Sequence, residues 1–172
     1  MQSAKNVTVT MRKQSLLILS LFITGKVIMA QDVMKVQSGA VITVQNGAEL
    51  VIKGGISLDN GSTINNAGTI RISQNGASGA ADWVDNTVTG YNYGIGKVIF
   101  NGNGGHLINT KSTFGQIDID ASGHATLGSD VQADKWYLKN GRLNTTTFKA
   151  IAINTAQLAV EADPSNTNLA SR

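Results

Sequence analysis

From Val33 to Ile72 apolar and polar residues alternate with a period of two, and glycine interrupts them at short intervals. Ala40, Ile42 and Val44 return eight positions later as Ala48, Leu50 and Ile52. Ile56, Leu58, Ile64, Ile70 and Ile72 continue the series, with Gly39, Gly47, Gly55, Gly61, Gly68 and Gly76 between the runs. A period of two is that of a β-strand with one face buried. It turns Val33, Val36, Ile42, Val44, Leu50, Ile52, Ile56, Leu58, Ile64, Ile70 and Ile72 inward. Lys35, Thr43, Gln45, Glu49, Lys53, Ser57, Asp59 and Arg71 alternate with them and face water.

Short strands with glycine corners fit two all-β architectures, an antiparallel sandwich and a parallel β-helix. Asn-Gly pairs beginning at 46, 60, 75, 101, 103 and 140 are hairpin signals and favour the first. The runs are too short to pair stably within one repeat, which favours the second. Three glycine-punctuated units make a coil of about 22 residues, so each strand can pair with its equivalent one turn away. The sequence therefore predicts a right-handed parallel β-helix (β-solenoid) of five to six short coils, with the antiparallel sandwich as the alternative.

The rhythm breaks over 76–97, GASGAADWVDNTVTGYNYGIGK, which reads as a loop inserted between coils. It returns at Val98-Ile99-Phe100 and continues more loosely through Ile108, Phe114, Ile117, Ile119, Leu127, Val131, Trp136 and Leu138, giving about three more coils. Phe148 to Val160 alternates again through Ile151, Ile153 and Leu158, and Glu161 to Asn166 reads as a closing turn. No polar cap precedes Arg172, so the domain at 31–172 is expected to be C-terminally incomplete, with a coil edge open to self-association.

The first 30 residues belong to a different pattern. Arg12 and Lys13 precede the apolar run Leu16 to Ile23, and Ala30 offers a small residue for cleavage before Gln31. This is the layout of a secretory signal peptide, with Met11 as a possible true start. The run is shorter than the ~20 residues of a membrane span, so no stable membrane insertion is expected after cleavage. Cleavage also changes the charge. Four of the 14 basic residues leave with the segment, and the remaining ten face all 11 acidic ones, which turns the formal +3 into −1. A basic face for nucleic acid is therefore not expected. The chain has no cysteine, so no disulfide or lipid-anchored thiol is available.

The wording SGAVITVQNGAELVIKGGISLDNGSTINNAGTI over 38–70 resembles the N-terminal region of large exported surface proteins that travel by type IX secretion. Asp82-Trp83, Val98 to Gly102, Thr113-Phe114 with Ile117 and Ile119, Ser129-Asp130-Val131 and Leu138 to Leu143 extend the resemblance over most of the mature chain. It implies a Gly/Asn-rich β-solenoid stalk behind a signal peptide, and brings no enzymatic residues with it. Full-length members carry a C-terminal sorting domain that these 172 residues do not include.

Trp83, Tyr91 and Tyr93, three of the nine aromatic residues, gather beside Asp82 and Asp85. Aromatic faces stack on sugar rings and carboxylates bond their hydroxyls, so these five residues form a candidate glycan site. The alternative is that Trp83 folds back onto the solenoid. Asp118 and Asp120 point the same way from one strand, about 7 Å apart. That spacing suits an inverting glycosidase or a calcium ion, but is commoner as a solvated face. Ser122-Gly123-His124 is faintly like a motif of β-helical pectin hydrolases, whose companion motifs are missing; a single Arg71-Ile72-Ser73 does not replace them. His106 and His124, the only histidines, read as turn or surface residues and do not suffice for structural zinc. No catalytic site, metal or cofactor is assigned. The expected function is an exported, non-enzymatic stalk or adhesion module at the cell surface, with surface glycans as partner. A carbohydrate-binding or polysaccharide-degrading β-helix is the alternative.

Overall fold

A computed structural model describes residues 33–74, 82–85, 87, 90–122, 124–154 and 160–165. All of them belong to one compact unit, Gln31–Arg172. Residues 1–30, with their signal-peptide pattern, and the cleavage expected after Ala30 lie outside the described residues.

The strands follow one another around successive coils. The first coil holds β1 (Val33–Val36), β2 (Val41–Val44) and β3 (Glu49–Lys53). The second holds β4 (Gly55–Leu58), β5 (Thr63–Asn66) and β6 (Thr69–Gln74). The third holds β7 (Trp83–Asp85), β8 (Tyr91–Asn92) and β9 (Lys97–Gly102). From the fourth coil the count falls to two, β10 (His106–Thr110) and β11 (Thr113–Ala121), then β12 (His124–Leu127) and β13 (Val131–Leu138). β14 (Arg142–Asn144), β15 (Ala150–Ala152) and β16 (Val160–Ala162) form the sixth.

Every ladder is parallel. Sheet A runs β1-β4-β7-β10-β12-β14, sheet B runs β2-β5-β8, and sheet C runs β3-β6-β9-β11-β13, with β15 and β16 both on β13. The chain is thus a parallel β-solenoid of about six turns, and the antiparallel sandwich is excluded. Val33 pairs with Gly55, 22 positions on, the coil length the glycine spacing predicts. Where sheet B stops, the coil shortens, and Ile108 pairs with Leu127, 19 positions on.

The Asn-Gly pairs at 46 and 60 mark corners, not hairpins, while Asn101-Gly102 closes strand β9 and the pair at 75 lies outside the described residues. Gly47 and Gly61 have φ of 77° and 83°, left-handed values that turn the chain from one sheet into the next. The strands on either side then pair with neighbours a coil away, which fixes register over long sequence separations.

The inward positions stack into apolar ladders. On sheet C one row is Leu50, Ile70, Val98, Ile117 and Trp136, and the next is Ile52, Ile72, Phe100, Ile119 and Leu138. On sheet A the row is Met34, Ile56, Trp83, Ile108 and Leu127. Most of these side chains are completely buried. Three expected inward positions are corrected. Val33 is 44% exposed because Met34 takes the inward place in its strand, and Ile153 is exposed on the last coil, as is Phe148. The expected closing turn also starts later, since β16 carries Glu161 and Ala162 into the ladder on β13. None of the described residues forms a helix long and apolar enough to cross a membrane.

Candidate functional site

The stretch read as an inserted loop is largely the third coil. β7 pairs with β4 and β10, and β8 pairs with β5, so Trp83 to Asp85 and Tyr91-Asn92 are rungs of the solenoid. The period-two signal is lost there because the inward positions are Trp83, Asp85 and Tyr91, a mixture of aromatic and acidic types. Residues 75–81, 86, 88 and 89 lie outside the described residues.

This placement corrects the glycan reading for Trp83, Tyr91, Asp82 and Asp85, and bears out the alternative that Trp83 folds back onto the solenoid. Trp83 is fully buried and Tyr91 is 4% exposed. Trp83, Tyr91 and Phe114 form a closed triangle, with ring centroids 5.1, 5.1 and 5.0 Å apart in edge or tilted contact. They stand where sheet B ends: Tyr91 completes the column begun by Ile42 and Ile64, and Phe114 of the fourth coil closes over it. Large rings fill the volume that changes shape as three sheets become two. Tyr93 is half-buried and packs on the same core. No face of Trp83 is left for a sugar.

The two carboxylates are equally enclosed. Asp85 Oδ1 accepts from Thr87 N at 2.8 Å and Thr87 Oγ1 at 2.7 Å. Its Oδ2 accepts from Thr110 Oγ1 at 3.3 Å and from Ser112 Oγ. Thr110 in turn exchanges hydrogen bonds with Ser129 one coil further on. Asp85 is therefore the centre of a polar column that holds one corner of the third, fourth and fifth coils together.

Asp82 and His106 have completely buried side chains, with Nδ1 and Oδ2 3.0 Å apart. His106 Nε2 lies 3.0 Å from the Asn101 carbonyl, which only accepts, so Nε2 carries a proton. Asp82 Oδ2 also accepts from Leu107 N at 3.2 Å. The Nδ1–Oδ2 approach is close but not aligned as a hydrogen bond, and Asp82 Oδ1 has no partner among the described residues. His106 is thus a core residue in edge contact with Phe100, at 5.6 Å, rather than the turn or surface residue expected. Its placement was missed because a histidine preceding an alternating run looks like a corner.

Asp120 is partly exposed on β11, but Asp118 is only 6% exposed, which corrects its reading as part of a solvated face; each is answered by a lysine one coil away. Lys97 Nζ is 3.5 Å from Asp118 Oδ2, and Lys139 Nζ is 2.9 Å from Asp120 Oδ2. Gln116 Nε2 also donates to Asp118 Oδ1. Arg71 and Glu49 repeat the theme at 2.7 Å. The partly exposed pairs, Lys139–Asp120 and Arg71–Glu49, contribute at most about 1 kcal/mol each. The two lysine pairs neutralise the carboxylates that a glycosidase would need free. Among the described residues no group of three or more histidines and carboxylates converges as a metal site would require.

Asn66 is the buried amide that joins sheet B to sheet C. Its Nδ2 donates to Tyr91 Oη at 2.9 Å and to the Lys97 carbonyl at 3.2 Å, while its Oδ1 accepts from Gly68 N at 3.1 Å. Gly96 packs against it so closely that a Cβ there would lie 2.4 Å from the Asn66 carbonyl oxygen. Burial pushes the Tyr91 phenol far above its ordinary value, and the Asn66 hydrogen bond opposes this only in part. A raised phenol is a neutral group preferred by the fold, so its contribution is complete below the ordinary tyrosine value of ~10 and is lost as pH rises through the folded one. Of the three tyrosines, Tyr137 is also raised, chiefly through the hydrogen bond it donates to Asp163. A spectrophotometric titration should show Tyr91 silent until the chain unfolds in alkali, and Tyr91→Phe should remove that late step. A Tyr91 phenol that ionises near ~10 in the folded chain would contradict this placement.

Outside this buried machinery, a shallow open groove of about 420 Å³ lies at the end of sheet B. Thr43, Gln45, Asn46, Asn65 and Asn92 border it, Val44 and Ala67 contribute to its floor, and its lining is mostly carbon. Sequence reading missed it. The available signal was that Thr43, Asn65 and Asn92 fall on outward positions 22 and 27 residues apart, the lengths of the second and third turns.

No protein-family model matches the chain, and no curated protein or solved structure is significantly similar to it.

Proposed function

We propose that the chain is an exported, non-enzymatic β-solenoid protein of the bacterial cell surface, serving as a structural stalk or adhesion module. The observation that carries this reading is the fate of its reactive side chains. Asp82, Asp85 and His106 are spent inside the coil stack, and Asp118 and Asp120 are neutralised across neighbouring coils. What the solenoid offers to solvent is repetition: lysine–carboxylate rungs on sheet C, and hydroxyls and amides on sheet B. The signal-peptide pattern of residues 1–30 and the resemblance to type IX secretion substrates support the exported half of this reading.

Expression in a Gram-negative host, followed by fractionation and mass analysis of the N-terminus, tests export. Processing at Ala30-Gln31 with the product outside the cytoplasm is the expected result. A full-length chain retained in the cytoplasm would overturn the reading. The same purified product is expected to release no reducing ends from a panel of plant and microbial polysaccharides, and release by the wild-type chain would restore the enzyme alternative.

A further inference from the structure

The Asn-Gly pairs carry a chemistry of their own beside their part in the fold. Asparagine followed by glycine is prone to cyclise, because no Cβ shields the glycine nitrogen from the asparagine side chain. In a folded chain the reaction depends on what holds the two residues, and the described pairs are held very differently.

Asn46 and Gly47 are the central residues of a β-turn that Ala48 N closes on the Gln45 carbonyl at 2.9 Å. The next coil grips this turn by its ends. Ala67 N donates to the Val44 carbonyl at 2.8 Å, and Thr69 N to the Ala48 carbonyl at 2.9 Å. The centre is left unheld. Both residues are exposed, and neither the Asn46 amide nor the Gly47 N–H has a hydrogen-bond partner among the described residues. A Cβ on Gly47 would meet nothing within 4 Å, so the peptide joining the two can rotate without displacing a neighbour.

Asn60-Gly61 occupies a similar turn but is tied to the coil before it. Gly39 N donates to the Gly61 carbonyl at 3.0 Å, and a Cβ on Gly61 would lie 3.0 Å from Ser38 Oγ. Asn101-Gly102 is held hardest. It lies in β9 between β6 and β11, with Asn101 paired to Ser73 and Asp120 and its Oδ1 buried. Cyclisation there needs the ladder to open first.

We propose that the Asn46-Gly47 corner is a site of spontaneous deamidation, converting to aspartate and isoaspartate in the folded chain. The Gly47 nitrogen gives up its proton to solvent and attacks Asn46 Cγ. The N–Cγ bond forms, the Cγ–Nδ2 bond breaks, and Nδ2 takes up a proton and leaves as ammonia. Water then opens the cyclic imide at either carbonyl. One opening leaves aspartate; the other routes the main chain through Cγ and leaves isoaspartate. One water enters, one ammonia leaves, and nothing is oxidised. Either product adds a negative charge three residues ahead of Glu49, and isoaspartate lengthens the main chain where β2 passes into β3.

The test needs only the purified chain, aged in mildly alkaline buffer and mapped peptide by peptide with mass spectrometry. Circular dichroism checks that it stays folded. Deamidation raises a peptide's mass by about 1 Da, and fragmentation separates isoaspartate from aspartate. In the folded chain Asn46 should convert about tenfold faster than Asn101 or more, with Asn60 between them. In guanidinium the three rates should converge, since each pair then sits in an open chain. Mapping keeps the pair at 75 apart from these three. The proposal falls if folded Asn46 stays intact while the unfolded chain converts it. It falls equally if Asn60 or Asn101 converts as fast as Asn46 in the folded chain.

Discussion

Trp83→Ala is expected to cost about 3–5 kcal/mol, the range for removing a fully buried large aromatic side chain. The indole has no replacement in the triangle, because Tyr91 and Phe114 meet it from two different coils and cannot both collapse into its volume. Denaturant unfolding should show the loss as a lower midpoint, accompanied by a weaker near-ultraviolet circular dichroism signal. Trp83→Phe should be much milder. It keeps an aromatic plug and removes an indole N–H that has no hydrogen-bond partner among the described residues. A change below about 1 kcal/mol for the alanine variant, combined with lost glycan binding, would return Trp83 to the glycan-contact alternative.

Asp85→Ala should rank next, at about 3 kcal/mol or more. Four donors from Thr87, Thr110 and Ser112 converge on this carboxylate, and deleting it leaves them buried without an acceptor. Asp85→Asn keeps the shape but loses the charge assistance and places an N–H₂ group among donors, so an intermediate loss is expected. Hydrogen exchange would locate the damage. Amides at the corners of the third to fifth coils should lose protection before those of β3 and β6. Uniform loss of protection, or none, would mean that the column does not link those corners.

Much of the fold was legible because a solenoid repeats its local rule. Ile42 and Ile64, or Ile52 and Ile72, are inward for the same reason, and the glycine spacing stated the coil length directly. The third coil was illegible for a physical reason. Its interior is where the section changes, and filling an irregular volume calls for aromatic and hydrogen-bonded polar residues instead of a repeated isoleucine. Trp83, Tyr91 and Asp85 therefore looked like surface chemistry although they are interior structure. Burial cannot be read from residue type when a polar side chain finds partners from other coils, and Thr110 and Ser112 are 25 and 27 positions away from Asp85. The groove at the end of sheet B was hidden differently. Asn65 and Asn92 are ordinary corner residues in the sequence, and only the register of β5 with β8 makes them neighbours.

The fall from three sheets to two after the third coil gives the described solenoid a direction. At one end β1, β2 and β3 present three sides, while at the other β14, β15 and β16 present only the sides of sheets A and C. The taper leaves β8 as an edge strand inside the stack: among the described residues no strand follows it in sheet B, so Tyr91 and Asn92 have a strand partner in that sheet on one side only.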